Sequence, residues 1–199
     1  MESNTIISTV MAVLLGVGLS AAVGFRVFLP FLVVGILTKL GIISVGENFE
    51  MFSSWTAIII LSTATLLEIG TSFIPWLDNA LDTIALPLAV TAGTIMTATL
   101  TGDFMDPVFK WAVAFIAGGG TAGTIKLGTA GLRIGSSATT GGLVTPVLAV
   151  GELGASLLLT ALAIIAAPIC IIIIIFILYK MFKLIKKMKN IGTTNLSSK

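Results

Sequence analysis

Histidine is absent from the chain, and cysteine occurs once, at Cys170. The first absence removes the commonest metal ligand and the usual acid–base switch. It also excludes a nucleophile–histidine couple, so neither an enzyme nor a bound cofactor or metal is expected. The second absence excludes an intramolecular disulfide. Charge is scarce as well. Only 10% of residues are Asp, Glu, Lys or Arg, where a soluble domain carries about a quarter.

What fills the chain instead is apolar. Of its 199 residues 56% are hydrophobic, and the mean hydropathy is +1.12. This is the composition of a polytopic membrane protein. The expected fold class is an all-α membrane protein. A single membrane domain covers residues 1–189, and a disordered polar tail covers 190–199. The formal net charge of +2 hides an asymmetry. Lys180, Lys183, Lys186, Lys187, Lys189 and Lys199 sit in the last twenty residues with no acid among them, whereas the body before them is net acidic. A basic tail on an acidic membrane body is no nucleic-acid binder. By the positive-inside rule it puts the C-terminus in the cytoplasm. From Lys180 the lysines interleave with Met181, Phe182, Leu184 and Ile185, an amphipathic pattern suited to the headgroup layer. The opening MESNTIIST lacks the basic start of a secretory signal, so the first apolar run reads as a retained helix.

Apolar runs follow one another along the chain. Residues 5–24 are long enough to span and carry Gly16, Gly18, Ser20, Ala21 and Ala22, a small-residue face for close helix packing. Residues 27–45 are interrupted by Pro30, Gly35, Lys39 and Gly41, and read either as a crossing or as a re-entrant hairpin. Further runs cover 55–76, with a tryptophan at each end and Glu68 inside, then 84–101, broken by Pro87, and 107–125, ending in GGGTAGT. The last two, 147–166 and 168–187, join at Pro168. Between the fifth run and these lies Gly128 to Glu152, a stretch with an arginine, a glutamate, hydroxyls and many glycines. Irregular backbone at membrane depth survives only where protein or a water-filled cavity covers it, which makes this stretch the expected second re-entrant segment.

Two blocks recur in order. AVGFR ending at Arg26 matches TAGLR ending at Arg133, and Glu68-Ile-Gly-Thr-Ser72 matches Glu152-Leu-Gly-Ala-Ser156. A proline follows each glutamate, Pro87 and Pro168. The spacers differ, and a rival match of Pro30–Gly35 with Pro146–Gly151 competes. Counting back from a cytoplasmic C-terminus, the glutamates fall on helices of opposite direction. This predicts an inverted repeat with halves near 5–101 and 107–187, about six transmembrane helices plus two re-entrant segments, both termini inside, and a site near the midplane. Seven crossings with the N-terminus outside is the alternative.

The residues expected to carry function are the charged ones in apolar runs. Arg26 and Arg133 each cost about 2.5–3.5 kcal/mol to insert and require a partner or water. They either converge on an anion, which the planar guanidinium fork suits, or pair structurally with Glu68 and Glu152. The glutamates are proton-coupling carboxylates or plain counter-ions. Ser136, Ser137, Thr139 and Thr140, with Gly141 and Gly142, read as a polar turn facing substrate or as the packing of a tight hairpin. Asp78 with Asp82, and Asp103 with Asp106, read as solvated loops or helix caps rather than a cation site, since further ligands are missing.

At GFRVFLP (24–30), IPWLDNALD (74–82) and GLRIGSSATTGGLVTPVLAVGE (131–152) the chain resembles a bacterial membrane-protein family catalogued as a domain of unknown function, number 4126. The likeness covers about residues 10–170; Thr145 stands where members often have Asn. The resemblance implies a bacterial inner-membrane protein and no defined activity. The expected function is a small transporter for an anionic solute or lipid headgroup, with membrane lipids as neighbours and a homo-oligomer invited by the glycine faces. An oligomeric channel, or an accessory scaffold whose charges pair internally, are the other readings.

Overall fold

Every backbone N–H and C=O inside a bilayer must be satisfied by the chain itself, and helices do this locally. The computed structural model accordingly forms helices and, among the described residues, no strand. Residues 2–194 are described except 46, 73, 102–104 and 141–143; the side chains of 2–5, 47–49, 75–80, 82–83, 137–140, 181–182 and 184–194 are left aside. The elements are α1 (Glu2–Phe25), α2 (Phe28–Lys39), a 3-10 turn (Glu47–Ser53), α3 (Trp55–Thr71), α4 (Pro75–Thr101), α5 (Pro107–Val113), a π-helical stretch (Ala114–Gly119), α6 (Gly120–Thr140) and α7 (Thr145–Thr194). Among the described residues four helical stretches are long and apolar enough to cross a membrane: Ile6–Phe25, Ile84–Thr101, Pro107–Ser136 and Thr145–Lys180. Their outward faces carry large exposed apolar side chains such as Ile7, Phe115, Ile116, Leu158 and Ile172. That is the surface of a multi-pass membrane protein.

The bundle is organised on α1, which packs most extensively against α7 and α4. Its small face permits this. A Cβ on Gly16 would lie 2.9 Å from Thr97 Cα, and one on Gly24 only 2.7 Å from the Ala122 carbonyl oxygen. Between them the Ser20 hydroxyl donates to the Gly93 carbonyl at 2.7 Å and sits 2.9 Å from Thr97 Oγ1. α4 meets the π-helical stretch as closely, with a Cβ on Gly118 falling 2.6 Å from Gly93 O. Small residues four apart let helix backbones touch, and dispersion then replaces the missing hydrophobic drive.

These contacts fix directions. Gly16 and Ser20 of α1 meet Thr97 and Gly93 of α4 in reverse order, so the two are antiparallel. Gly118 meets Thr97 whereas Gly123 meets Val90, so α5–α6 also opposes α4. α1 and α6 therefore run the same way, which corrects the sequence expectation that residues 5–24 oppose 107–125. The glutamate-bearing helices do oppose each other, so the recurring blocks do not share one symmetry. Their differing spacers already hinted at this.

α7 contains a break at Ala166 (φ −149°, ψ 65°), two residues before Pro168. Pro168 lacks an N–H for the preceding turn, so the helix yields there. The Cys170 thiol approaches the Leu159 carbonyl at 3.8 Å, although eleven residues of straight helix would span about 16 Å. The second arm therefore folds back on the first. This is the joint expected between the last two apolar runs.

Elsewhere the sequence boundaries shift. The stretch expected to be irregular from Gly128 is helical to Thr140, continuous with the helix that starts at Pro107. Inside a packed bundle a helix satisfies that backbone with no help from water. The 77–82 segment begins α4 rather than forming a loop. α7 runs on to Thr194, into the segment expected to be disordered. Of the tail lysines, Lys180 and Lys183 are described and exposed; Lys186, Lys187 and Lys189, and residues 195–199, lie outside the described side chains.

α2 has 12 residues, about 18 Å of helix. It closes with Gly41 at φ +72°, where the Gly41 and Ile42 amides reach back to Thr38 and Leu37 carbonyls at 3.0 and 2.9 Å. Glycine adopts that left-handed angle at no steric cost and ends the helix. The chain then continues to Ile42–Ser44, which share a cavity with Met11, Leu15 and Ala166 at the end of the bundle away from Arg26. α3 returns alongside α2, since Gly35 packs on Phe52 and Ile58 and Glu68 reaches Val27.

Candidate functional site

Arg26 ends the last turn of α1, its amide still bonded to Ala22 O at 3.0 Å. The guanidinium is buried, at 4% exposure. Nη1 donates to the Glu68 carbonyl at 3.1 Å and to Ser72 Oγ at 2.7 Å, and Nη2 donates to the Ala149 carbonyl at 3.1 Å. Nη2 also lies 3.8 Å from Glu152 Oε2. The Nε donor is buried with no partner among the described residues. One side chain thus ties α1 to α3 and α7.

Arg133, on α6, grips Glu152 of α7 with two donors. Nε meets Oε1 at 3.0 Å and Nη2 meets Oε2. This is the two-pronged geometry that only guanidinium supplies to a carboxylate. Both arginines therefore converge on Glu152, itself 6% exposed. Ser156, one turn on, donates to Ala22 O at 3.0 Å and locks α7 against α1.

Glu68 does something else. Its carboxylate accepts from the Val27 and Phe28 amides at 2.7 and 3.1 Å. Those amides open α2, where helical partners are missing and a negative charge is favoured. Pro30, in the same first turn, has no N–H to satisfy. Glu68 is a helix cap supplied from a neighbouring helix, and among the described contacts its carboxylate does not meet Arg26.

A cavity of about 430 Å³ adjoins this network. Among the described residues its lining holds Arg26, Lys126, Arg133, Glu68, Thr71 and Ser72 together with apolar side chains, from Phe25 and Phe28 across to Leu67, Ile84 and Leu88. Glu68 is occupied by backbone amides, and Glu152 is shared by the two arginines. A larger void of about 560 Å³ lies towards the other end, around Ala166, and is lined by no charged side chain among the described residues.

Residues 13–187 match the family described as domain of unknown function (DUF4126). The chain belongs to this family. No curated protein matches, and no solved structure does.

Of the site residues expected from sequence, Arg26, Arg133 and Glu152 come together, with Glu68 adjoining. Ser136 lies on α6, its hydroxyl donating to the Arg133 carbonyl at 3.0 Å. It is part of a helix, not of a turn. Ser137, Thr139 and Thr140 also lie on α6, but their side chains are outside the described set, as are residues 141–142. Asp106 caps α5 through the Val108 amide at 3.0 Å, as expected. Asp78 and Asp82 fall on α4 with undescribed side chains, and Asp103 is outside the described residues. No group of three or more potential metal ligands occurs among the described residues.

The cluster sits near one end of the bundle, not midway. It is reached from the C-terminal ends of α1, α3 and α6 and the N-terminal ends of α4 and α7. Sequence reasoning missed two members. Lys126 was visible only as a lone lysine in a glycine-rich run. Ser72 was legible as the residue one turn beyond Glu68 in the repeated block, but its partner was not.

Proposed function

We propose that the protein is a small transporter of the bacterial inner membrane that takes an anionic solute or lipid headgroup at the Arg26–Lys126–Arg133 wall. The observation that carries this reading is a cavity lined by Arg26, Lys126 and Arg133 beside a buried Arg26 Nε donor that has no partner among the described residues. A purely structural pair has no use for a donor left open at a cavity. Ser136 steadies the turn that holds Arg133. Glu68 and Glu152 hold the arginines and α2 in place.

The alternating helix directions favour seven crossings, with the N-terminus outside and the C-terminus in the cytoplasm, over six crossings with two re-entrant segments. On that reading α2 and its extension to Ser44 form a thin crossing. Arg26, Lys126, Arg133 and the lysine tail then share the cytoplasmic side, in keeping with the positive-inside rule.

Anion flux into proteoliposomes, with wild type against Arg133→Ala and Glu152→Gln, tests the reading. Flux should fall at least tenfold in both; equal flux in all three removes the site. The two-pronged Arg133–Glu152 pair favours a second reading, an accessory subunit whose charges only brace the helices. On that reading the wild type itself carries no flux.

A further inference from the structure

We infer that the cavity is a lateral site for an acidic phospholipid of the adjoining leaflet. Its phosphate would lie against Arg26, Lys126 and Arg133, and a chain would leave between α3 and α4. The inference deepens the anion-site reading above and rests on that wall being an anion site, but not on transport.

Three observations carry it. First, the cavity is amphiphilic, with its cations gathered at one wall and aliphatic and aromatic side chains forming the others. A small hydrophilic anion has no use for Phe25, Phe28, Leu67, Ile84 and Leu88, whereas an acyl chain does. Second, α3 and α4 touch little along their length. The residues flanking that gap are exposed on the apolar surface, Leu67 by 62% and Ile84 by 55%. The cavity therefore opens sideways, towards acyl chains. Third, the arginines lie at one end of the candidate spans, Arg26 directly after Ile6–Phe25 and Arg133 in the last turn of Pro107–Ser136, and lipid headgroups flank the apolar length of such spans. An entering phosphate would meet the open Arg26 Nε donor, held in place by the bonds of its two Nη groups, and charge-assisted hydrogen bonds are the strong ones.

The test is binding, read separately from flux. The purified full chain in neutral detergent is titrated with phosphatidylglycerol or phosphatidylcholine, and bound lipid is counted by native mass spectrometry. Phosphatidylglycerol should bind about tenfold tighter than phosphatidylcholine. Lys126→Gln should remove most of that preference. Ala85→Trp on α4, or Ala64→Phe on the facing α3, should abolish retention while helicity and elution stay as in wild type. The Lys186→Gln/Lys187→Gln tail variant should bind as wild type does. Equal binding of the two lipids overturns the inference. So does loss of binding in the tail variant alone. Inorganic phosphate that binds as tightly as the lipid, unaffected by Ala85→Trp, assigns the wall to a free anion and also overturns it. A chain that retains the lipid but moves nothing sinks transport and leaves this site standing.

Discussion

Substituting Glu152 by glutamine is expected to be the most damaging conservative change in the cluster. The carboxylate accepts from Arg133 at 3.0 Å and lies 3.8 Å from Arg26. At an effective dielectric near 20, unit charges at those separations attract by about 5 and about 4 kcal/mol. Desolvation offsets much of this, so the intact cluster is worth little net stability. Breaking it is another matter, because glutamine removes the one carboxylate that both buried guanidiniums meet among the described residues. Removing one partner of a buried pair costs about 3–5 kcal/mol. For a chain of this length that is roughly 6–20 °C in melting temperature, read by tryptophan fluorescence in detergent. Arg133→Gln should cost less, since Glu152 then still has Arg26. The double variant Arg133→Gln/Glu152→Gln should cost clearly less than the two single effects added. A Glu152→Gln melting temperature within 2 °C of wild type, or strict additivity, refutes the claim that both arginines depend on this carboxylate.

Gly118→Ala drives a Cβ into Gly93 O at 2.6 Å, so it should destabilise by about 1–3 kcal/mol. Gly151→Ala, with open space around it, should be neutral or slightly stabilising in the same melt. Glu68→Ala should cost about 0.5–2 kcal/mol and raise amide exchange at Val27 and Phe28 while leaving α6 and α7 unchanged. Membrane-impermeant labelling of single cysteines in a Cys170→Ala background should reach Ser8→Cys and Ser44→Cys from outside the cell. Protection of Ser44→Cys from that side would remove the thin crossing by α2. Flux loss in Arg133→Ala completes the set.

Much was legible because membrane depth leaves few options. Apolar runs became helices, and Pro168 marked the fold-back in α7. Charged residues in apolar runs had to find partners, so Arg26, Arg133 and Glu152 could be singled out in advance. The Gly128–Thr140 stretch was misread because glycine and serine signal turns in water, whereas in a bundle they let a helix press against its neighbours. The backbone acceptors of Arg26 were not legible at all. The Glu68 and Ala149 carbonyls are backbone groups, alike in every residue type.

The sequence alone determined that the chain lives in a membrane, that it is helical, and which side chains could not be left to lipid, since transfer cost depends on residue type and run length. Only the tertiary structure decided that α1 and α6 run the same way, that Glu68 caps a helix while Glu152 serves two arginines, and that Lys126 joins them at a cavity. Those outcomes depend on which helices approach within a few ångströms. That proximity is set by shape-fitting across the whole bundle, and no local pattern encodes it.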